Sequence, residues 1–330
     1  MIRSYIMLIL LTILATAVVG CGNGEELKLE VQQALANHTE MNTYRFSGSA
    51  DLNLEDPTPD AGANPLTSGM KAMFTNGQLA WEGVASVEPV RMELALKLTP
   101  SNSNQPIEIP MLIQDNKMYL HIPAINEPEQ YYEIDLVELS QLSKSENPLT
   151  SEQLGGAGQL FSSIFHDVVS AVEPKRFEDM KTDETDLKSI EITLEQKHIE
   201  EVIDIWFTAL PGIINQLNVA GYIQPQTLED WEQKLNQTNY ESWIERKEDI
   251  TLNQPLSLRM TIDEDGFMRE SHMIVDMTVM GEDKTTKTWA VDVVNRYDDI
   301  NQNPPFTQPI PKNVKPFTDI LEFMLNNQNP

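Results

Sequence analysis

The sequence predicts an α+β fold in which helices pack against an antiparallel sheet. Segments with alternating polar and apolar residues occur in two runs, and a helical block at about 151–250 separates these runs. Strands and helices do not exchange regularly along the chain, as they would in a parallel βαβ arrangement. An antiparallel sheet of this kind has one apolar face that needs cover. We therefore expect the helices of the block to pack on a curved sheet.

A helix and a strand begin the predicted domain. The apolar residues Leu27, Val31 and Leu35 recur at helical spacing within residues 25–39, so this segment is predicted to be an amphipathic helix. The next segment, Tyr44–Leu54, changes period, with apolar or small residues at even positions and polar residues at odd positions. This alternation is typical of a strand with one buried face.

Alternation continues along the chain as far as residue 136. The apolar positions of the predicted strands span, in chain order, Met70–Phe74, Leu79–Val87, Val90–Leu98, Ile107–Ile113, Met118–Ile122 and Tyr131–Leu136. Asn76-Gly77 is a strong signal for a two-residue hairpin, and Asp115-Asn116 predicts a second turn. We expect an antiparallel meander with one polar and one apolar face.

The helical block contains two long apolar segments. Ser151–Val172 and Gln196–Asn218 carry broad apolar stripes and are predicted to be helices, the second of them kinked at Pro211. Lys188–Leu194 alternates between them like a strand, and Thr227 is placed to cap a further helix.

A three-stranded meander follows the helical block. Leu256–Ile262 alternates into a turn at Asp263–Gly266, and Phe267–Val279 alternates on the way back. A turn at Gly281–Asp283 leads to the last strand, Trp289–Tyr297. The two runs together predict about ten strands of one antiparallel sheet.

Composition excludes several classes of protein. The net charge of −28, from 51 acidic and 23 basic residues, repels a phosphate backbone and argues against nucleic-acid binding. The five histidines are not spaced as metal ligands, and the common hydrolase and nucleotide-binding motifs are absent. We therefore expect no metal, no cofactor and no catalytic residue, and a non-enzymatic protein. A hydrolase with an unrecognised site is the enzymatic alternative.

Residues 1–20 are predicted to be a signal peptide. The apolar stretch Tyr5–Val19 is shorter than the roughly 20 residues that span a membrane and suits a secretory signal. The sequence VVGC at 18–21 resembles the lipobox of bacterial lipoproteins, and Cys21 is the single cysteine of the chain. The resemblance implies diacylglycerol on the Cys21 thiol and cleavage before it. An ordinary signal peptide or membrane anchor with an incidental cysteine is the alternative.

This interpretation divides the chain into three parts and places it at a membrane. Residues 21–24 become a lipidated tether, and residues 25–330 form one folded domain. Each buried methylene of the acyl chains contributes about 0.8 kcal/mol, so an acidic domain stays anchored without a basic patch. We expect the protein on the extracytoplasmic face of the cell membrane.

Several features together resemble the LolA-like carrier superfamily, which includes the mycobacterial LppX and LprG lipoproteins. The resemblance is stronger to the LppX-like lipoproteins of Gram-positive bacteria. These features are the lipobox, the helix at 25–39, the strand Tyr44–Leu54 and the run from Met260 through Asp298-Asp299 to Pro311. The resemblance implies an unclosed antiparallel half-barrel, with helices on the concave face and acyl chains held between the sheet and the helices. This chain is longer than such carriers, and residues 219–250 form an added helical segment.

Methionine and aromatic residues on the predicted inward faces suit a surface for variable apolar partners. The candidates for lining a hydrophobic ligand are Met92, Met111, Met118, Trp206, Phe207, Met260, Met273, Met277 and Trp289. Filling of an ordinary core is the alternative for all of them. The favoured function is a membrane-anchored lipoprotein that binds an acyl chain or lipid. The alternative is a cell-surface sensor or scaffold that binds a protein partner through residues 219–250.

Overall fold

The computed structural model describes residues 23–54, 76–100, 105–123, 125–138, 150, 157–182, 186–219, 240–281 and 284–318. The longer helices within them are α1 (Gly24–His38), α2 (Ala157–Ala171), α3 (Ile199–Val219) and α4 (Tyr240–Glu245). Short 3-10 helices occupy Pro174–Arg176, Gln196–His198 and Lys247–Asp249. The signal peptide, the strand predicted at Met70–Phe74 and the helix predicted after Thr227 lie outside the described residues.

The described residues form thirteen strands of one sheet. In chain order they are β1 (Thr43–Leu54), β2 (Asn76–Ser86), β3 (Arg91–Pro100), β4 (Ile107–Gln114), β5 (Lys117–Leu120), β6 (Tyr131–Asp135), β7 (Phe177–Met180), β8 (Leu187–Leu194), β9 (Ile250–Leu252), β10 (Leu256–Asp263), β11 (Met268–Met280), β12 (Thr286–Asp298) and β13 (Val314–Pro316).

The sheet is open. Its strand order is β13-β6-β5-β4-β3-β2-β1-β12-β11-β10-β8-β7, and β9 pairs with the C-terminal part of β11. Every pair is antiparallel except β13 with β6. The outermost strands β13 and β7 do not pair with each other, so the sheet does not close into a barrel. The predicted α+β class with an unclosed sheet is confirmed.

The pairing register gathers the alternating apolar residues on one side of the sheet, which we call the apolar face. Phe46 of β1, for example, lies opposite Gly83 of β2 and Tyr297 of β12. The same face carries Ala50, Leu52, Leu79, Trp81, Leu94, Leu96, Leu98, Ile109, Met111, Met118, Leu120, Met273, Val275, Val291 and Val293. The opposite side is the polar face.

The main core joins α1 and α2 to the apolar face of β8 and β10. Leu27, Val31 and Leu35 of α1 are at most 2% exposed, and they cluster with Ile190 of β8 and Met260 of β10. Their helical spacing places them on one side of α1, which explains why this side faces the sheet.

A lysine ties α1 to the end of α2. The Lys28 ammonium donates to the carbonyl oxygen of Ser170 at 2.8 Å and to that of Val172 at 2.7 Å. These carbonyls belong to the C-terminal turn, where helical partners are missing and the helix dipole favours a cation. Lys28 therefore fixes the relative position of the two helices.

A second core lies under the start of α3. Ile199 and Ile203 of α3 cluster with Ile250 and Leu252 of β9. The Gln196 amide nitrogen donates to the Ile250 carbonyl oxygen at 2.9 Å, and its oxygen accepts from the Leu252 N–H at 2.6 Å. The Gln196 side chain thus forms the hydrogen bonds that a neighbouring strand would form with these backbone groups at the edge of β9.

The segment after β12, residues 304–308, crosses the polar face and is called the strap. Glu93 of β3 is 4% exposed and accepts hydrogen bonds from the backbone N–H groups of Thr307 and Gln308, each at 2.9 Å. Arg91 donates to Glu93 at 2.9 Å, and its guanidinium lies 4.9 Å from the centre of the Phe306 ring. The strap leads to β13, which pairs in parallel with β6.

Two predictions about turns have different outcomes. Asp115-Asn116 joins β4 to β5, and both residues have positive φ (54° and 58°), as a tight hairpin turn requires. The hairpin predicted at Asn76-Gly77 is wrong. These residues begin β2 and pair with Asn53 and Leu52 of β1. A long connection, and not a two-residue turn, therefore joins β1 to β2.

The remaining elements follow the predicted order with three additional short strands, β7, β9 and β13. Strand β7 forms a hairpin with the predicted strand β8 before α3. Strand β9 lies at the end of the expected helical block, and β13 follows the strap. Helix α1 begins at Gly24, a residue that the sequence assigns to the tether. Gly24 is buried, and a Cβ there would lie 2.1 Å from the Pro174 carbonyl oxygen, so the position has no room for a side chain.

Replacement of Glu93 by alanine should loosen the strap. Glu93→Ala leaves two backbone donors and Arg91 without their buried acceptor, so we expect the free energy of unfolding to fall by about 3 kcal/mol. Urea unfolding measures this change. Glu82→Ala is the matched control, because Glu82 forms an exposed pair with Lys97, and it should leave the free energy of unfolding nearly unchanged. Equal losses in the two variants would contradict the role given to Glu93.

Candidate functional site

The apolar face extends beyond the two cores. Helix α1 packs on β7, β10 and β11, and α3 packs near β9 and β10. In the middle of β2 and β3, by contrast, Leu79, Leu94 and Leu96 belong to neither core and are partly exposed. Among the described residues, this middle part of the face is therefore the apolar surface that the helices leave accessible.

Four of the predicted lining residues are partly exposed on the strands that flank this part of the apolar face. Met111, Met118, Met273 and Trp289 are on the apolar face, are partly exposed and belong to neither core. Methionine side chains are flexible and polarizable, so they can adapt to an apolar ligand of variable shape.

The other predicted lining residues have different surroundings. Met260 is 1% exposed within the main core, and Met92 packs against the edge of that core. Met277 and Phe207 pack against the second core, whereas Trp206 on α3 is 53% exposed. The alternating pattern in the sequence could not distinguish core residues from accessible ones, because it does not show which part of the sheet the helices cover.

The lining residues on the sheet form two groups. Met92 and Met118 both lie opposite Ile113 of β4, so β3, β4 and β5 bring them together. On the other side, Trp289 of β12 lies opposite Met277 of β11. Strands β1 and β2 separate the two groups.

The strands between the groups carry residues that the sequence prediction did not single out. Trp81 of β2 lies opposite Gly48 of β1, and Asn295 of β12 lies opposite the same glycine from the other side. The Asn295 amide nitrogen donates weakly to the Ser271 hydroxyl oxygen, at 3.4 Å. A glycine and an asparagine at apolar-face positions of alternating strands were the signal available in the sequence.

Described residues line three cavities whose linings include none of the predicted lining residues. The first, of about 490 Å³, includes Asp51 and Asp292 of the polar face. The second, of about 680 Å³, lies at the start of α3 and includes Arg176 and Glu201. The third, of about 440 Å³, lies between α1 and the turn that joins β10 to β11.

The second cavity contains a charged contact that fixes the start of α3. The Arg176 guanidinium donates to Glu201 through Nε at 2.9 Å and Nη2 at 2.6 Å. Its Nη1 lies 2.9 Å from His198 Nε2, while the Glu195 N–H donates to His198 Nδ1 at 3.0 Å. Burial and then the Arg176 charge lower the pKa of His198. An imidazolium would direct an N–H at each of these two donors, so the contact favours uncharged His198, which accepts a hydrogen bond at one ring nitrogen only. The contact serves to position α3.

His38 is a buried titratable residue at the end of α1. It is 1% exposed, neither ring nitrogen has a hydrogen-bond partner, and its ring meets Tyr297 edge-on with 4.3 Å between centroids. Burial lowers the pKa of His38 from 6.5 to about 4, because the imidazolium would lose its hydration. Burial also raises the pKa of Tyr297. Both rings are therefore uncharged at neutral pH.

The described part of the chain offers no group of three histidine, cysteine or acidic side chains placed to hold a metal ion. Within the same residues, no helix has the length and apolar character needed to cross a membrane. Cys21 lies outside the described residues, as does most of the 219–250 segment.

Comparison with known proteins gives weak likenesses. No family model and no curated protein matches the sequence. The structure is similar to the crystal structure of LprF from Mycobacterium bovis, with 10% identity, a TM-score of 0.34, and coverage of 87% of this chain and 97% of that chain. A dehydratase-cyclase domain from ambruticin biosynthesis covers 81% of this chain and 79% of its own, with 9% identity and a TM-score of 0.11. Both TM-scores are low, so we assign the fold from the strand order alone.

Acid should weaken the fold through His38. Because folding lowers the pKa of His38 from 6.5 to about 4, the unfolded chain binds the proton more readily between these values. The free energy of unfolding should therefore fall as the pH drops from 6.5 to 4, and His38 accounts for about 3 kcal/mol of that fall.

Urea unfolding at several pH values measures this dependence against the variant His38→Leu, which removes the titrating ring. The difference between the wild-type and variant curves isolates His38 from the carboxylates, which titrate in both proteins. His166→Leu is the control, since His166 is 45% exposed. Parallel curves for wild type and His38→Leu would show that His38 does not carry the effect.

Proposed function

We propose that this protein is a lipid-anchored extracytoplasmic binding protein whose apolar sheet face holds an acyl chain or lipid. One observation carries the proposal: the apolar face continues across the middle of β2 and β3, where the described residues form no core with the helices. Extended apolar surface of this kind is typical of a binding site.

The side chains of this surface suit a flexible hydrocarbon. Leu94 lies opposite Met111, and Met111 lies opposite Leu120, so three strands present a continuous apolar row. Each methylene that such a row removes from water contributes about 0.8 kcal/mol. A long acyl chain can therefore offset the entropic cost of association without any charged contact.

The anchor and the domain would lie close together. If Cys21 carries the lipid, two residues separate it from Gly24, where α1 begins, so three Cα–Cα steps join them. A fully extended chain of this length spans at most about 11 Å. The first turn of α1 would then lie near the lipid headgroups, within reach of ligands that leave the bilayer.

Protein purified from its own host should carry a lipid that native mass spectrometry detects as added mass. In solution, the delipidated protein should take up a fluorescent fatty acid. Met273→Glu places a charge on the partly exposed apolar face and should weaken uptake at least tenfold, because the carboxylate would be desolvated by the ligand.

Ile274→Glu is the matched control. Ile274 is the next residue of β11, is also partly exposed and lies on the polar face opposite Asp292. It should leave uptake unchanged. A ligand-free mass together with no uptake would overturn the proposal, and capture of a protein partner under the same conditions would favour the scaffold alternative.

The anchor has its own test. Cys21→Ala removes the thiol that would carry diacylglycerol, so the protein should accumulate as unprocessed precursor or appear in the medium. Membrane fractionation and the intact mass distinguish these results. Normal membrane retention with a normally processed mass would contradict lipidation at Cys21.

A further inference from the structure

Two glycines on neighbouring strands each lie opposite an aromatic residue. Gly48 of β1 is the register partner of Trp81 of β2, and Phe46 of β1 is the partner of Gly83 of β2. A Cβ on Gly48 would lie 2.5 Å from the Trp81 atoms Cε2 and Cζ2, and a Cβ on Gly83 would lie 2.6 Å from Phe46 Cζ. Each ring therefore occupies the space in which a side chain of its partner would stand.

In this arrangement the two rings lie over the glycine positions in the middle of the apolar face. Side chains in a strand normally stand roughly perpendicular to the sheet. Here the rings of Trp81 and Phe46 lie over glycines, so they cover the backbone of β1 and β2 with an apolar layer.

Trp81 lies at the boundary of the covered region. Phe46 packs against the main core, whereas Trp81 belongs to neither core and is partly exposed. Beyond it, Leu96 of β3 and Ile109 of β4 continue the same row and are also partly exposed. The row is therefore an apolar track that starts at Trp81 and runs away from α1, α2 and α3.

The other end of the row is polar. Asn295 of β12 and Ser271 of β11 occupy the positions next to Gly48 on the apolar face. Asn295 is partly exposed, and the 3.4 Å bond to Ser271 uses only one of its amide hydrogens. An amide at this place can donate a hydrogen bond to a carbonyl or carboxylate oxygen.

We propose that this row binds one acyl chain across the strands, with its carboxyl or ester carbonyl at Asn295 and its hydrocarbon over Trp81, Leu96 and Ile109. The inference rests on the proposed function and deepens it, since it names the ligand class and its direction. Four strand spacings separate β12 from β4, or about 19 Å, which is comparable with an extended long-chain acyl group.

Quenching by brominated fatty acids tests both the place and the direction of the chain. Bromine quenches tryptophan fluorescence at contact, and the Trp81 ring lies over Gly48, one strand from Asn295. 6,7-Dibromostearic acid should therefore quench the full-length protein more strongly than 11,12-dibromostearic acid. This difference should disappear in Trp81→Phe, which keeps an aromatic ring over the glycine.

Trp243→Phe is the matched control, because Trp243 packs beside Phe207 at the second core. It should retain the difference between the two acids. An undiminished difference in Trp81→Phe, or equal quenching of the wild type by both acids, would overturn the inference while leaving lipid binding intact. Absence of any uptake would overturn the proposed function and the inference together.

The polar end has a separate variant. Asn295→Leu removes the proposed donor and should weaken binding of stearic acid about tenfold while leaving urea unfolding little changed. Unchanged affinity would overturn the place assigned to the carbonyl group.

Discussion

Pairing of β1 with β12 is the interaction on which the architecture depends. It joins residues 45–54 to residues 289–298, and so unites the two strand runs into one sheet with a common apolar face. Side chains alternate with a period of two, so a shift of one residue in this register would turn Phe46 and Ala50 toward the opposite side from the helices. The main core, the accessible surface and the row through Gly48 all require this register.

The two sides of the sheet are completed in different ways. On the apolar side, α1, α2 and α3 bury the face mainly near β8, β10 and β11. On the polar side, the strap is held by a buried carboxylate, Glu93, that accepts two backbone hydrogen bonds. Among the described residues, α1, α2 and α3 cover less apolar surface than the sheet presents, and this difference is the physical basis for proposing a lipid ligand.

Local pattern predicted the elements whose partners are near in sequence. The meander of β10, β11 and β12 follows from uninterrupted alternation and short turns, and Asp115-Asn116 forms the expected turn. The turn predicted at Asn76-Gly77 is wrong because these residues pair with β1, which is distant in sequence. Strand β9 could not be predicted because its three residues are too few to show an alternating pattern. Met260 and Met273 look alike in the sequence. Only the position of α1 and α2 makes the first a core residue, and only long-range pairing reveals Trp81 over Gly48.

The central claim is that hydrocarbon lies on the accessible part of the apolar face. Nuclear Overhauser effects between a bound fatty acid and methionine methyl groups labelled with ¹³C test it most directly. We expect contacts from the acyl methylenes to the partly exposed Met111 and Met273, and none to Met260, which is 1% exposed. Contacts to Met260 without contacts to Met111 and Met273 would contradict the account.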